Sequence, residues 1–516
     1  MENVFLNEKI TEVEKKIISS LKIPSLILME NAGLNSASYI FRNYKKETAG
    51  EVVILAGKGN NAGDGFVIAR NLISKNVRVK ILMLFGEWEL KGDALVNFTV
   101  LKNLKSSYLR IIQCGNLNLL KRNIHPENKL IIDSVFGIGF KGIPDREIAS
   151  VIKFINKLKN RTVIAIDIPS CLNSYCQGHD SVKADVTLSM GVKKFHSMFY
   201  EGKNSSGKTE VINIGIPSVE FSKYNRNKIY ETSVNDVREF LPLRKSDSNK
   251  YSNGKVFILS GSEGLTGAAY LCSSAAAKSG AGAVITGIPE SLNDIMEVKL
   301  TEVMTLPLPE TEFRSFSLQS YSRIEEKLKW ADSVLIGPGL SKNEETAELV
   351  RKIVKENNLN YVIDADGISA FWNHTDLLKN RNIILTPHIG EFANLTGKSV
   401  SGIRNNFYTE AKEFAKKYKV VVLLKNAPSV ITDGNYFYIN PAGRENLATA
   451  GTGDVLSGII AALLSQTGNV IMSAVSGAFI HGMCGDIIYG KSGDSSTLAS
   501  DLLNEIPEVK NFIRQA

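Results

Sequence analysis

The chain alternates short apolar runs with segments whose apolar residues recur at helical spacing. In its first half, the runs Glu51–Ala56, Val77–Leu84, Lys129–Ile132 and Thr162–Ile166 each end in a polar or glycine-rich turn. Near-continuous apolar runs are typical of parallel strands that are covered by helices on both faces. The first half therefore predicts an α/β unit built on a parallel sheet.

A second series of the same kind follows a polar stretch at residues 218–235. It starts with the apolar run Lys255–Ser260, continues with Ala281–Gly287, and contains further runs that end in small-residue turns. The two series are not obvious repeats of one another. We therefore predict an α/β protein of two domains, at residues 1–222 and 223–516.

Composition narrows the class of protein. A chain of 516 residues is too long for one ordinary core, and its 43% hydrophobic and 22% charged residues are typical of globular domains. The net charge of +8 comes from scattered lysines, which gives no indication of nucleic-acid binding. Five widely spaced cysteines form neither a disulfide framework nor a metal motif. With no signal peptide or membrane-length apolar run recognised, we expect a cytoplasmic protein with no membrane partner.

Polar side chains follow three of the predicted strands in the first half. They are Asn60, Asn61, Asp64, Asp133, Asp167 and Ser170. In parallel sheets, ligands bind beyond the carboxyl ends of the strands. If the three strands are neighbours, these groups converge on one site.

The segment LATAGTGDVLSGII carries the clearest chemistry of the second half. Its small residues Gly451, Thr452 and Gly453 precede Asp454 and an apolar, helix-like stretch. The first N–H groups of a helix form an anion site suited to a phosphoryl group. A carboxylate there is better suited to accept a proton from a neighbouring hydroxyl than to bind phosphate. The pattern favours phosphoryl transfer to an alcohol.

Taken together, these motifs resemble a known family. GKGNNAGDG, DSVFGIGFKG and DIPS resemble the YjeF N-terminal domain, an NAD(P)H-hydrate epimerase. KVFILSGSEGLTGAA, GPGL, DADG, LTPHIGE, LKNAPSVI and ATAGTGD are similar to the ribokinase-like NAD(P)H-hydrate dehydratase. The resemblance covers nearly the whole chain and implies a Rossmann-like domain followed by a ribokinase-like one. It also implies bifunctional repair, in which R and S hydrates are interconverted and the S form is dehydrated.

The resemblance assigns a first site, the epimerase site. The residues implied to bind the hydrate are Asn60, Asn61, Ala62, Gly63, Asp64, Gly137, Ile138, Gly139, Phe140, Lys141, Gly142, Ile143 and Asp167. The loop from Gly137 to Ile143 is expected to hold phosphates through its backbone N–H groups. The resemblance also implies a potassium ion on Asn61, Asp133 and Ser170.

Two carboxylates are candidates for the proton transfer that opens and recloses the C6 centre, Asp133 and Asp167. The residues alone do not rank them. Two departures from the family pattern bear on this site, because Ala62 and Cys171 stand where the family has glycine. We expect a site that binds its ligand but turns over more slowly. The segment MGVKKFH loosely matches a further motif, with Lys194 at its lysine position.

The resemblance assigns a second site, the dehydratase site. The residues implied to bind the hydrate are Gly267, Ala268, Gly339, His388 and Asp454, with Asp454 as the catalytic base. Those implied to bind the adenine nucleotide are Lys425, Asn426, Ala427, Pro428, Ser429, Gly451, Thr452 and Gly453. Glu391 could cap a helix or help hold magnesium, and Asp364 and Asp366 could be metal-linked or simply end a strand.

The implied ligands are NADHX or NADPHX, with Mg²⁺ and ADP or ATP at the second site and K⁺ at the first. ADP is favoured over ATP, since fused family members commonly use it, and a homo-oligomer is expected.

Two alternatives stay open. A ribokinase-like kinase would stop after phosphorylation, and the first domain could bind ligand without catalysing epimerisation.

Overall fold

The structure, a computed structural model, describes residues 1–140, 142–172, 180–244, 246–493 and 496–516. The chain forms two compact units, Asn3–Arg226 and Asn227–Ala516, with Met1–Glu2 grouped with the second. The predicted division after residue 222 falls inside the helix Ser218–Tyr224, and the units divide four residues later. Both units are α/β sandwiches, which confirms the predicted fold class.

The N-terminal unit contains a seven-stranded parallel sheet and a separate strand pair. Its strands are β1 (Glu2–Phe5), β2 (Glu51–Ala56), β3 (Arg78–Met83), β4 (Leu109–Gln113), β5 (Leu130–Ser134), β6 (Thr162–Ile166), β7 (Val186–Met190), β8 (Lys193–Lys194) and β9 (Lys208–Ile212). Its helices are α1 (Asn7–Leu21), α2 (Ser25–Asn43), α3 (Lys45–Thr48), α4 (Asn60–Ile73), α5 (Gly92–Asn103), α6 (Leu117–Asn123), α7 (Arg146–Ile155), α8 (Tyr200–Ser206) and α9 (Ser218–Tyr224).

The order of strands in this sheet is β4-β3-β2-β5-β6-β7-β9. The chain first builds outward from β2 to β4 and then returns to place β5 on the other side of β2. Such a reversal opens a crevice at the carboxyl ends of the two central strands. Because β2, β5 and β6 are adjacent, the three predicted strand ends do lie side by side.

Burial explains the apolar runs of the central strands. Val52 to Ala56 on β2 are all buried, because helices cover both faces of the sheet. The covering helices are amphipathic. In α7, Asp145 caps the first turn by accepting a hydrogen bond from Ile148 N, and the apolar residues Ile148, Val151, Ile152 and Ile155 face the core.

The C-terminal unit contains a ten-stranded sheet of order β13-β12-β11-β14-β15-β16-β17-β18-β19-β10. Its strands are β10 (Ile229–Glu231), β11 (Lys255–Leu259), β12 (Ala283–Pro289), β13 (Met304–Leu308), β14 (Ser333–Ile336), β15 (Tyr361–Ile363), β16 (Ile383–Leu385), β17 (Val421–Leu424), β18 (Val430–Thr432) and β19 (Phe437–Ile439). Its helices are α10 (Val234–Phe240), α11 (Thr266–Lys278), α12 (Asn293–Lys299), α13 (Tyr321–Trp330), α14 (Glu344–Glu356), α15 (Asp366–Ser369), α16 (Ile389–Thr396), α17 (Val400–Tyr418), α18 (Thr452–Thr467), α19 (Val470–Ser492) and α20 (Ala499–Gln515).

Strands β11 to β17 of this sheet run parallel to one another, whereas β17, β18 and β19 form an antiparallel meander. Helices α11, α18, α19 and α20 form the helical part of the core. Among the described residues, α19 is the single helix that is long and apolar enough by composition to cross a membrane. The expectation that no apolar run reaches membrane-spanning length was therefore wrong for α19. Most of its apolar window, 72%, is buried inside the unit, as in a core helix. Helices α1 and α2 pass the same test only together, and they are bent by 115°.

Helix α18 approaches α11 closely at Gly458. A Cβ atom added there would lie 2.2 Å from the carbonyl oxygen of Cys272 and 2.9 Å from the Ala275 Cβ. We expect Gly458→Ala to lower the free energy of unfolding by about 1–3 kcal/mol, because an overpacked helix contact must shift. Calorimetric unfolding of the full chain measures the effect.

The matched control is Gly490→Ala in α19, where an added Cβ meets no atom within 4 Å. This variant should be neutral or more stable by about 0.5–1 kcal/mol, because alanine is the better helix former. Equal stability of the two variants would contradict the close contact between α11 and α18.

Candidate active sites

A cavity of about 640 Å³ opens at the carboxyl ends of the central strands in the N-terminal unit. This volume is in the usual range for small-molecule sites. The predicted site residues in its wall are Asn60, Asn61, Asp64, Gly137, Ile138, Gly139, Phe140, Ile143 and Asp167. The structure therefore brings together residues from three strand ends that are separated by about a hundred positions in the sequence.

Some predicted residues lie behind this wall. Ala62 and Gly63 are buried in the first turns of α4, and Gly63 packs against Met29 and Ala94. Gly142 belongs to the same loop as the wall residues but is not part of the wall. Lys141 lies outside the described residues.

Asp133 and Ser170 form a buried hydrogen-bonded pair beneath the cavity. The Ser170 hydroxyl donates to Asp133 Oδ1 at 2.6 Å, and the Ser170 N–H donates to Oδ2 at 2.8 Å. Both residues are fully buried. Burial raises the pKa of Asp133, and the hydrogen bonds from Ser170 oppose that rise. Asp133 is thus held inside the protein and does not reach the cavity wall.

Asn61 lines the cavity from the first turn of α4. It is 7% exposed and has neither its amide oxygen nor its amide nitrogen hydrogen-bonded. An unpaired buried amide is costly, so a group that binds there would be stabilised. Together with Asp133 and Ser170 it offers oxygen donors of the kind that hard cations prefer. These residues fit a potassium ion.

Asp167 faces the cavity and is paired with a buried lysine. Lys194 Nζ lies 2.6 Å from Asp167 Oδ1 and also donates to the Met190 carbonyl at 2.6 Å. The other carboxylate oxygen, Oδ2, accepts a hydrogen bond from Ile138 N at 3.4 Å. Asp167 therefore orients one backbone N–H of the Gly137–Ile143 loop.

A second aspartate of the cavity wall, Asp64, has its pKa raised by its surroundings. Burial, and then the charges of Asp167 and Glu14, raise its pKa well above the ordinary value, while Lys194 opposes the rise. Glu14, on α1, was missed from the sequence although it lines the same cavity. It falls within the apolar stripe of α1, beside the buried Ile10, Val13 and Ile17. A charged residue within such a stripe is a signal that could have identified it.

The two departures from the family glycines behave differently. Ala62 lies in helix α4 and is not among the described residues with positive φ, so alanine causes no backbone strain there. Cys171 has φ of +69°, in the left-handed region that favours glycine. Strain is thus expected at Cys171 and not at Ala62. Asp167, with φ of +67°, shares this strained segment.

In the C-terminal unit, the predicted residues again follow adjacent strands. Gly267 and Ala268 come after β11, Gly339 after β14, His388 after β16 and Lys425 after β17. Gly339 packs against Ala268, since an added Cβ would lie 3.0 Å from the Ala268 Cβ. His388 and Lys425 are direct neighbours, because their backbones form an isolated parallel β-bridge.

Lys425 begins the turn Lys425–Ser429 between β17 and β18, and its side chain forms the centre of a charged cluster. Its Nζ is 2.9 Å from Asp364 Oδ1 and 3.9 Å from Glu391 Oε2. A Cβ added at Gly453 would lie 3.5 Å from the same Nζ. Two of the predicted nucleotide-binding residues, Lys425 and Gly453, are therefore in direct proximity.

The GTGD segment forms the first turn of α18, as expected. Gly451 has φ of +89° and precedes the helix, and the Thr452 hydroxyl donates to the carbonyls of Leu447 and Thr449 at 2.9 Å. Asp454 is in the first turn and partly buried. Burial, and then the charge of Asp364, raise its pKa to about 7, while Lys425 opposes the rise. A carboxyl in this state can exchange a proton near neutral pH.

His388 and Glu391 together form the cap of helix α16. His388 caps α16, because its Nδ1 accepts from Gly390 N and Glu391 N at 2.9 and 3.2 Å. Glu391 completes the capping box by accepting from His388 N at 2.8 Å. The His388 side chain is 59% exposed, so it can still contact a ligand.

No group of three His, Cys, Asp or Glu side chains suited to a metal occurs within the described residues.

Sequence comparisons match both halves of the chain to known families. A family model described as "NAD(P)H-hydrate dehydratase" matches residues 256–508, and one described as "YjeF-related protein N-terminus" matches residues 25–195. A protein of Moorella thermoacetica named bifunctional NAD(P)H-hydrate repair enzyme Nnr is 36% identical over 96% of this chain and 94% of its own length. A protein of the same name from Salinibacter ruber is 32% identical, again over 96% and 94%.

A solved structure covers the C-terminal half. It is the ADP/ATP-dependent NAD(P)H-hydrate dehydratase of Bacillus subtilis co-crystallised with ATP and Mg²⁺, with 26% identity and a TM-score of 0.47 over 55% of this chain and 97% of that one. At this score the likeness carries no separate argument. The full-length sequence relatives establish the family.

Proposed function

This chain belongs to the family of bifunctional NAD(P)H-hydrate repair enzymes, and on that premise we propose that each of its two units performs one step of repair. The N-terminal unit interconverts R and S hydrates of NADH and NADPH, and the C-terminal unit dehydrates the S form with an adenine nucleotide. The observation that carries this proposal is the pairing, in each unit, of a strand-end aspartate with a lysine, beside a second carboxyl whose pKa is raised by burial.

For the epimerase step, Asp167 is the better of the two candidate proton acceptors. It lines the cavity and is paired with Lys194, whereas Asp133 is enclosed by hydrogen bonds from Ser170 and Val135. Asp167 takes the proton of the C6 hydroxyl, the C6–N1 bond breaks, and the resulting aldehyde rotates before the ring recloses. The stacked rings of Phe136 and Phe140, with centroids 3.9 Å apart, offer an apolar surface to the ligand.

The potassium ion implied by the resemblance fits Asn61, Asp133 and Ser170. It would supply a fixed positive charge that satisfies the unpaired Asn61 amide oxygen and offsets the Asp133 carboxylate. The Gly137–Ile143 loop, with its backbone N–H groups, is the proposed phosphate-binding segment.

For the dehydratase step, Asp454 accepts the proton of the C6 hydroxyl while the terminal phosphoryl group of the nucleotide moves to that oxygen. The N–H groups of Gly451 to Gly453 stabilise the transferring group. Phosphate then leaves C6, and loss of a C5 proton restores the dihydronicotinamide ring. Lys425, Asn426, Ala427, Pro428 and Ser429 are the proposed contacts of the nucleotide.

We propose ADP as the donor, giving AMP and phosphate. Since the described residues contain no acidic cluster that would hold a metal alone, Mg²⁺ is expected to arrive on the nucleotide phosphates. We also propose a cytoplasmic homo-oligomer, with size-exclusion chromatography and light scattering as the measurement of its state.

The first test follows the return of reduced-nicotinamide absorbance. The purified chain is incubated with mixed R and S hydrate, Mg²⁺, K⁺ and either ADP or ATP. Full recovery, faster with ADP, is expected. Recovery that stops at the S fraction would contradict the epimerase step, and accumulation of a stable phosphorylated product would indicate a kinase instead.

Asp454→Ala should lower dehydration of the S hydrate by about 10²–10⁴-fold, the usual contribution of a general base. Exchange of R and S hydrate in the same preparation should be unchanged, because Asp454 belongs to the other unit. Exchange is followed by chromatography of the two epimers and shows that the N-terminal unit is intact, while an unchanged melting temperature is the control for folding of the C-terminal unit. Dehydration close to that of the parent chain would rule out the assigned role.

The dehydration rate should fall by about tenfold per pH unit below the pKa of Asp454, near 7 in the free protein, because the acceptor must be unprotonated. Asp364→Asn removes the largest neighbouring negative charge, so the acid limb of the pH profile should move to lower pH. Asp366→Asn, a weaker influence, should move it less in the same direction. An upward shift for Asp364→Asn would refute this electrostatic assignment.

Cys171→Gly should accelerate R/S exchange, because glycine relieves about 1–2 kcal/mol of left-handed backbone strain beside Asp167. Ala62→Gly is the matched control and should bring no gain, since Ala62 is helical. Epimer exchange rates of both variants provide the measurement. A Cys171→Gly variant no faster than the parent would show that Cys171 does not impair the site, and hydrate binding without exchange in both would favour a binding-only domain.

A further inference from the structure

Helix α1 carries one acidic residue on its buried face. The face packs Ile10, Val13 and Ile17 into the core, and Glu14 lies among them at helical spacing. An ionised carboxylate in such a position is unfavourable unless a specific partner or function compensates for it. Glu14 is half-buried, and its side chain lines the 640 Å³ cavity.

The connection between α1 and the site is short and ordered. Strand β1 pairs in parallel with β8, with Phe5 opposite Lys194, and α1 begins at Asn7 two residues later. The register of this strand pair therefore fixes the start of α1 beside the lysine that pairs with Asp167. Glu14 then follows two helical turns into α1.

Three acidic side chains of this wall influence one another electrostatically, and Lys194 pairs with one of them, Asp167. Glu14 comes from α1, Asp64 from α4, Asp167 from the end of β6 and Lys194 from β8. Three carboxyls thus share one ammonium, and neighbouring like charges oppose full ionisation. The other titratable groups of the wall are Lys58, which pairs with Glu89 at 2.7 Å, Asp93 and Asp145.

A separate observation marks this cavity as a ligand site. Asn61 is 7% exposed, is oriented into the cavity wall, and has no hydrogen-bond partner for either amide atom. The acidic cluster is therefore part of a built binding site.

We propose that Glu14 is a second catalytic residue of the epimerase reaction, donating a proton to ring nitrogen N1 while Asp167 removes the proton of the C6 hydroxyl. This inference rests on the proposed function of the N-terminal unit. In the forward step the C6–N1 bond breaks, its electron pair on N1 takes the Glu14 proton, and C6 becomes an aldehyde. After rotation about C5–C6, N1 re-forms its bond to C6 and returns its proton to Glu14, while the oxygen regains the proton held by Asp167.

The electrostatics support this division of roles. Lys194 Nζ lies 2.6 Å from Asp167 Oδ1, and a carboxylate paired with an ammonium at the cavity wall is placed to act as a proton acceptor. Burial raises the pKa of Glu14 to about 7; Asp167 adds to the rise and Lys194 opposes it. Glu14 therefore keeps its proton below neutral pH and can donate it.

The test compares Glu14→Gln with Glu12→Gln in the full chain. Glutamine preserves the size of the side chain but cannot transfer a proton, so kcat for R/S exchange should fall by about 10²-fold or more, with KM changed only slightly. The loss of exchange that the parent shows as pH rises through about 7 should disappear in Glu14→Gln. Glu12, on the same helix, pairs with Lys16 at 2.5 Å with its side chain 59% exposed, and its variant should match the parent.

The outcomes separate the two levels of the proposal. A parent chain without R/S exchange would overturn the proposed function of the N-terminal unit. An exchanging parent with a Glu14→Gln variant within about twofold of it would overturn the role of Glu14 alone. A variant whose loss lies in KM, with its pH profile unchanged, would also overturn it, since that result describes a binding contact. A hydrate KM for exchange close to that of the parent verifies that the N-terminal unit of the variant is folded, because that unit alone holds Glu14 and its cavity.

Discussion

In each unit, one ion pair between a lysine and an aspartate, with at least one partner buried, organises the surrounding charges. Lys194 pairs with Asp167 at 2.6 Å, and Lys425 pairs with Asp364 at 2.9 Å. Removing one partner of such a pair would leave an uncompensated buried charge, so each pair constrains its neighbours strongly. Beside each pair, a carboxyl without its own cation has its pKa raised by burial: Asp64 in one unit and Asp454 in the other.

Parallel strands explain why both sites could form from distant residues. The carboxyl ends of adjacent parallel strands meet at one edge of a sheet, so short turns after β2, β5 and β6 bring Asn61, Asp133 and Asp167 together. The same geometry places His388 next to Lys425 in the other unit. The glycines of these turns allow close approach, as at Gly453 beside Lys425. The chemistry of each site thus depends on sheet order as much as on motif.

The expected effect of each departure from the family pattern depends on the backbone geometry at that residue. Ala62 and Cys171 look equivalent in the sequence, since both replace glycine. The structure separates them, because Ala62 is helical whereas Cys171 has a positive φ. A substitution is costly where the backbone requires glycine and harmless where it does not. The expected slow turnover therefore concerns Cys171 alone.

The sequence by itself determined the α/β class, the strands Glu51–Ala56 and Thr162–Ile166 to the residue, and the motif residues at their ends, because apolar runs and glycine turns are local signals. Tertiary structure alone decided the strand order and the lysine partners of Asp167 and Asp364. It also placed Asp133 behind the cavity wall and brought Glu14 from outside the recognised motifs into that wall. These features depend on contacts between residues far apart in the chain and on burial. Burial shifts the ionisation of a carboxyl in ways that no local pattern records.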